Sequence, residues 1–109
     1  MLDNKRRLYL KYRAALKGIK GIRLLDEPMG CKSNFWLQTL ILDQEYSVFR
    51  DRILEATNNA GLMTRPVWTT MHNLVAFRDC PRMSLNSAES LEGRIINLPS
   101  SAILGLGAL

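Results

Sequence analysis

The first twenty residues of the chain alternate apolar and basic positions in a helical pattern. The apolar positions fall three or four residues apart and comprise Leu8, Tyr12, Ala15, Leu16 and Ile19. This spacing places them on one helix face, away from most of the basic residues. The pattern predicts an amphipathic helix over residues 3–17, which Gly18 and Gly21 bring to an end.

The pattern becomes strand-like after this helix. Residues 22–25 predict a short strand, and the breaker-rich residues 26–34 predict a loop. Residues 35–42, FWLQTLIL, are apolar at nearly every position, which is typical of a central strand covered on both faces. Asp43 then predicts the cap of a helix over about residues 44–60, which ends at Gly61 and has a buried stripe of Phe49, Ile53, Ala56 and Ala60.

The second half of the chain predicts shorter elements. Residues 62–68 are extended, and Pro66 places them at a sheet edge because proline donates no backbone hydrogen bond. A short helix over 69–77 follows, then a helix over 88–94 capped by Ser87, and a final extended segment, IINLPSS.

Together these elements predict an α/β (α+β) sandwich. Its small, mostly antiparallel sheet has three or four strands, with helices chiefly on one face. The 109 residues are expected to form a single domain, with a leading helix over 1–20 and a sheet-and-helix body over 21–109.

The net charge of +5 is concentrated at the N-terminus. Residues 1–23 contain eight basic residues and one acid, whereas the rest of the chain contains seven basic and nine acidic residues. A nucleic-acid-binding fold usually carries its basic face on the domain itself. Nucleic-acid binding is therefore a minor alternative, and a solvated helix face is the preferred interpretation.

The cysteines and the hydropathy pattern indicate a cytoplasmic protein without a membrane segment. Cys31 and Cys80 stand at a spacing that fits reduced thiols rather than a zinc site. The longest uncharged stretch, residues 95–109, is shorter than the ~20 residues of a membrane helix.

The most unusual segment for chemistry is TRPVWTTMHNL, residues 64–74. It places Arg65, Trp68 and the single histidine, His72, within eight positions. Arg65 could bind an anion or bridge an acidic neighbour. Trp68 could wall a ligand site or belong to the core or its rim. His72 could donate to a ligand or serve as a structural histidine. The chain shows no nucleotide-binding, hydrolase or metalloprotease motif.

Two longer segments carry a family resemblance. GLMTRPVWTTMHNLVAFRDCP and AESLEGRIINLPSS resemble the C-terminal small domain of DegT-type nucleotide-sugar aminotransferases, in particular the legionaminic-acid type. The opening NKRRLYLKYRAAL resembles the helix that leads out of the large domain in these enzymes. NFWLQTLIL is similar to the central strand of their small domain and FRDRILEATNNAGL to the helix after it, so the resemblance covers nearly the whole chain. Thr70 departs from the pattern, since many members carry a proline there.

The resemblance implies the transfer of an amino group from glutamate to a keto-sugar nucleotide. These enzymes depend on pyridoxal phosphate and have the aspartate-aminotransferase fold. In them, the large domain holds the cofactor lysine, its aspartate partner and the phosphate-binding residues. The lysines at positions 5, 11, 17, 20 and 32 fall in segments that resemble non-catalytic parts.

We therefore expect no cofactor in this chain and no catalysis by it alone. The resemblance implies a stand-alone or truncated domain whose Arg65, Trp68 and His72 face the substrate cleft. Two alternatives remain: a binding module for an anionic ligand or sugar nucleotide, and a nucleic-acid binder acting through the basic N-terminal helix.

The same resemblance leads to an expectation about assembly. Without a large domain, the helix stripe of Leu8, Tyr12 and Leu16 and the tail AILGLGAL would be left exposed. This predicts a homodimer formed through the first helix. A separate large-domain partner is the other expectation.

Overall fold

The computed structural model describes residues 1–107, which form a four-stranded antiparallel sheet with three α-helices. The helices are α1 (Leu2–Leu16), α2 (Arg50–Asn59) and α3 (Asn86–Glu92). The strands are β1 (Ile22–Leu24), β2 (Gln38–Leu42), β3 (Arg65–Pro66) and β4 (Ile95–Leu98). Their order in the sheet is β1-β2-β4-β3, so β4 is central although it comes last in the chain.

The core lies between one face of this sheet and the first two helices. Leu40, Leu42 and Ile96 form its centre, and register pairs Leu40 with Ile96 on the same face. Partly buried side chains from both helices, from β1 and β4, and from the 3-10 helix Gln44–Phe49 pack against them: Leu16, Ile22, Tyr46, Ile53, Leu54 and Leu98. The predicted fold class is thus confirmed, because two helices cover one face of a small antiparallel sheet.

Strand β2 is buried on both faces, as its apolar sequence predicts, but it begins at Gln38 rather than at residue 35. Phe35 has a φ of 47°, in the left-handed region, which ends the extended run. Its ring is buried and stacks on Tyr9 with 4.3 Å between ring centroids. This contact across the chain overrides the local strand preference of the FWL segment.

The helix predicted over residues 44–60 is divided into two parts. Gln44–Phe49 forms a 3-10 helix, and α2 begins only at Arg50. Asp43 precedes the 3-10 helix but its side chain makes no capping bond. A 3-10 helix has about three residues per turn, so the change of period shifts which positions face the sheet. The predicted buried stripe is wrong in part: Phe49, Ala56 and Ala60 are exposed, whereas Ile53 and Leu54 face the core.

The segment after α2 forms less regular structure than its sequence predicts. Strand β3 pairs only with β4 and lies at the sheet edge, which confirms the position predicted from Pro66. The predicted helix over 69–77 is wrong, because Thr70 is extended and extended backbone at Leu74 separates two 3-10 turns, Met71–Asn73 and Val75–Phe77. Helix α3 begins at Asn86, so Ser87 lies inside its first turn and does not cap it.

Helix α1 is covered by its own chain. Leu8 is 4% exposed, and Tyr12 and Leu16 are half-buried, whereas Ala15 and Ile19 are exposed. The predicted dimer was based on an uncovered Leu8–Tyr12–Leu16 stripe, and this premise is wrong because the sheet and the C-terminal segment cover it. Residues 108 and 109 of the predicted apolar tail lie outside the described part of the chain.

Three side chains of α1 bind backbone carbonyls of the C-terminal segment, residues 99–106. Tyr12 donates its hydroxyl to Pro99 O at 2.7 Å, and Lys5 donates to Ser100 O. Lys11 donates to Leu104 O at 3.3 Å and to Leu106 O at 2.9 Å. Burial raises the pKa of Tyr12, which keeps its hydroxyl protonated as a donor.

Gly105 is the point of closest approach between α1 and this segment. It is buried in the 3-10 turn Ala102–Gly105, and a Cβ added there would overlap the backbone oxygen of Asn4. Only glycine allows the two backbones to approach this closely.

A second set of contacts holds the loop before β2 against α1. Arg6 makes a bidentate pair with Glu27, with distances of 2.8 Å and 3.2 Å between the nitrogens and carboxylate oxygens. The Ser33 amide donates to Glu27 Oε2 at 2.7 Å, and the Arg6 guanidinium carbon lies 5.0 Å from the Phe35 ring centroid. Hydrogen bonds from Arg6 and Ser33 hold the pKa of Glu27 at about 2, against a usual 4.5.

Among residues 1–107, each helix is too short or too polar to cross a lipid bilayer.

Gly105→Ala should destabilise the protein by about 2 kcal/mol or more, because its methyl group meets backbone rather than a flexible side chain. Gly93→Ala is the matched control: Gly93 has φ −78° and its nearest neighbour would lie 4.0 Å from the new Cβ. The control should equal or slightly exceed the wild type in stability. Urea unfolding of both variants measures the difference, and a Gly105→Ala protein as stable as the wild type would contradict the close packing.

Glu27→Gln should remove part of the acid dependence of stability. The folded state holds the Glu27 pKa near 2, below the usual 4.5, so between these pH values the unfolded state binds more protons. The contribution of Glu27 is therefore complete above pH 4.5 and is lost as the pH falls toward 2. Thermal unfolding across this range should show that the difference in melting temperature between wild type and Glu27→Gln becomes smaller as the pH falls. A difference in melting temperature that stays constant with pH would refute the ion pair.

Candidate functional site

A groove of about 1190 Å³ lies beside α1. Three parts of the chain form its walls: α1, the segment around β3 and the C-terminal segment. Its lining is mainly apolar and includes Leu8, Tyr12, Leu62, Met63, Trp68 and Ile103. A large, mainly apolar groove with a few polar groups is the usual form of a small-ligand site.

Two cations, Lys11 and Arg65, line this groove, and its lining contains no acidic residue. Arg65 is exposed at the edge strand and donates from Nη1 to Asn58 Oδ1 at 3.1 Å and to Thr64 O at 3.0 Å. These partners are an amide and a carbonyl, so the alternative in which Arg65 bridges an acidic neighbour has no support here. The groove is therefore suited to an anionic ligand.

Trp68 forms part of the groove wall and is 70% exposed. It follows β3 by two residues, where the chain leaves the sheet. An indole this exposed contributes little to the core. Its open face is available to stack on a planar or sugar ring.

His72 lies elsewhere. Its side chain is 7% exposed and its Nε2 is 2.9 Å from Glu89 Oε1 on α3, and it is absent from the groove lining. The structure thus brings Arg65 and Trp68 together at one groove and places His72 against α3. This geometry favours the structural interpretation of His72, while the assignment of all three residues to a substrate site stays a prediction.

The sequence did not reveal several groove residues, among them Lys11, Tyr12, Met63, Ser101 and Ile103. Lys11 and Leu104 are 93 positions apart and meet only because the C-terminal segment folds back along α1. Local patterns carry no signal for such a pairing.

No three His, Cys, Asp or Glu side chains within residues 1–107 are grouped as a metal site would require. Cys31 and Cys80 are both exposed free thiols.

A comparison with protein families matches residues 1–108 to the DegT/DnrJ/EryC1/StrS aminotransferase family. The chain belongs to this family. The match confirms the resemblance seen in the sequence, although it does not distinguish the legionaminic-acid type from the others.

Two relatives support the assignment. GDP-perosamine synthase of Vibrio cholerae is 31% identical over 90 residues, which cover 82% of this chain and 24% of the relative. The putative pyridoxal phosphate-dependent aminotransferase EpsN of Bacillus subtilis (strain 168) is 29% identical over 76 residues, covering 70% of this chain and 19% of EpsN. This chain thus matches about a quarter or less of each relative's length.

Solved structures show the same fold. DesI, determined in the presence of its TDP-sugar product, matches with a TM-score of 0.81 and 26% identity over 91% of this chain and 26% of DesI. Helicobacter pylori PseC, an aminotransferase involved in the biosynthesis of pseudoaminic acid, has a TM-score of 0.82 and 20% identity over 93% of this chain and 28% of its own.

The groove residues do not fit pyridoxal phosphate, the cofactor that the name of EpsN implies. Lys11 is the groove's lysine, and its ammonium group already binds two backbone carbonyls. The groove lining also lacks a carboxylate that could pair with the pyridinium nitrogen. No reaction step through this cofactor can be derived from the described residues.

Proposed function

We propose that this chain acts as the C-terminal small domain of a nucleotide-sugar aminotransferase, and that its large groove forms one wall of the sugar-nucleotide site. The observation that carries the proposal is the family match over residues 1–108, in a chain with a large, open groove that is mainly apolar and lined by two cations. The chain binds and orients substrate but does not transaminate alone.

The proposed ligand class is a nucleoside-diphosphate sugar. GDP-perosamine synthase and the TDP-sugar product of DesI both carry this chemistry in their names. A diphosphate suits the guanidinium of Arg65, which can form charge-assisted and bidentate hydrogen bonds. Trp68 supplies a flat apolar wall, and the surrounding aliphatic side chains exclude water from the bound sugar.

The proposed lack of independent catalysis rests on the groove itself. Its lysine is held by carbonyls of the C-terminal segment, and its lining supplies no acid or base partner for a cofactor. The cofactor lysine and phosphate-binding residues would come from a large domain. That domain would be either a separate partner or another part of a longer chain.

Self-association and a cytoplasmic location also stay proposals. The family match is consistent with both. A homodimer would not use the covered stripe of α1. It would use exposed apolar surface outside the groove, such as Val48, Val75 and Met83.

The binding-module alternative uses the same groove without any large domain. The nucleic-acid alternative has less support, since Lys5, Arg6 and Lys11 of the basic helix bind groups within the chain.

Arg65→Ala should weaken binding of GDP-mannose or TDP-glucose about tenfold, because it removes the charge-assisted contact to the diphosphate. The free energy of unfolding should change by less than about 0.5 kcal/mol, since Arg65 is exposed. Isothermal titration calorimetry and thermal unfolding measure the two effects.

Arg52→Ala is the matched control for Arg65, because Arg52 is an exposed arginine that lines a separate groove beside α2. It removes the same charge and should leave sugar-nucleotide affinity nearly unchanged. Equal affinity losses in both variants would show that the effect comes from net charge alone, and would contradict the proposed site.

Pyridoxal phosphate should not form a stable adduct with one lysine of this 109-residue chain. Borohydride reduction followed by peptide mass spectrometry should find weak labelling spread over several lysines. The full-length Vibrio cholerae relative treated in the same way is the positive control. Stoichiometric, saturable labelling of a single lysine would contradict the proposal.

A further inference from the structure

Two carboxylates of α3 hold the segment that follows the groove wall. Glu92 Oε1 accepts the Thr70 amide at 3.1 Å, and Glu92 Oε2 accepts the Thr70 hydroxyl at 3.2 Å. The Asn73 side-chain amide lies 3.5 Å from Glu92 Oε2, and Glu89 pairs with buried His72. Glu89 and Glu92 are three residues apart and so share one helix face.

Helix α3 is itself fixed to the core. Arg50, at the start of α2, donates to Glu92 O at 2.7 Å, which satisfies a carbonyl at the C-terminal end of α3. Arg94 Nη1 donates to Leu42 O at 2.9 Å, and the Leu42 amide donates to Arg94 O at 2.9 Å. Leu42 is 1% exposed and lies at the centre of the core. A short helix tied at this point is a rigid platform for its two carboxylates.

The part of the groove wall next to this platform has little regular secondary structure. Val67, Trp68 and Thr69 line the groove between β3 and the first 3-10 turn, without helix or ladder bonds. Thr70 is the first residue after them that is bound to another element, and it is two residues from Trp68. The backbone of residues 67–69 is therefore held by β3 on one side and by the contact of Thr70 with Glu92 on the other.

We propose that Glu92 is a positioning residue for the groove: by binding Thr70 it fixes the wall that carries Trp68, and Glu89 supports it through His72. The effect on ligand affinity rests on the proposed function, whereas the effect on the position of Trp68 does not. A sugar nucleotide then meets a wall that is already ordered, so less freedom is lost on binding.

The test uses Glu92→Ala, which removes both acceptor oxygens, and Glu92→Gln, which keeps one. Glu55→Ala, at an exposed position of α2, is the control for charge. All variants are made in a Trp36→Phe background so that Trp68 is the only tryptophan. Three quantities are measured: hydrogen exchange at the Thr70 amide, fluorescence anisotropy of Trp68, and affinity for GDP-mannose and TDP-glucose.

Glu92→Ala should speed exchange at Thr70 at least tenfold relative to the core strands, lower the Trp68 anisotropy, and weaken sugar-nucleotide binding roughly fivefold. Glu92→Gln should restore part of each property, and Glu55→Ala should leave all three unchanged. If Glu92→Ala does not fold, Thr70→Val, which removes the hydroxyl alone, should produce the same changes to a smaller extent.

Exchange that accelerates uniformly through the protein, or an unchanged Trp68 anisotropy, would overturn the proposal by showing that Glu92 only stabilises the fold. If the unaltered protein binds neither sugar nucleotide, the proposed function fails, while the exchange and anisotropy results still decide whether Glu92 positions the wall.

Discussion

The docking of α1 along its own chain is the constraint on which the rest of the structure depends. The C-terminal segment approaches α1 so closely at Gly105 that only glycine fits there, and Lys5, Lys11 and Tyr12 of α1 donate hydrogen bonds to its carbonyls. These contacts hold the C-terminal segment beside the sheet edge. Without this docking, the large groove would lose two of its three walls. Lys5 and Lys11 make these contacts with their ammonium groups, while the aliphatic parts of their side chains cover apolar surface.

This arrangement uses three of the eight basic residues of the N-terminal segment for contacts within the chain. Arg6 is neutralised by Glu27, and the ammonium groups of Lys5 and Lys11 bind carbonyls. The positive charge that reaches the groove is confined to Lys11 and Arg65. An apolar groove with two cations and no acid matches the chemistry of a sugar nucleotide, which combines a diphosphate with flat or apolar faces.

The sequence predicted those features that depend on local pattern. The continuous apolar run predicted a strand covered on both faces, which is β2, and Pro66 predicted an edge strand, which is β3. It failed where distant contacts overrode local preference. Phe35 leaves the strand to stack on Tyr9, and Thr70 is held by Glu92, 22 residues away, where a helix was predicted. The pairing of His72 with Glu89 and the return of the C-terminal segment to α1 depend on the whole fold, so neither could be found from spacing.

The most direct test of the central claim is a nuclear magnetic resonance titration of the labelled protein with GDP-mannose. The proposed site predicts saturable shift changes at the Trp68 indole, the Arg65 side chain and the amides of Ser100 and Ser101, which share the groove. Residues of the separate groove beside α2, such as Tyr46 and Ile53, should stay unaffected. Changes centred on that second groove, or none at any ligand concentration, would contradict the assignment.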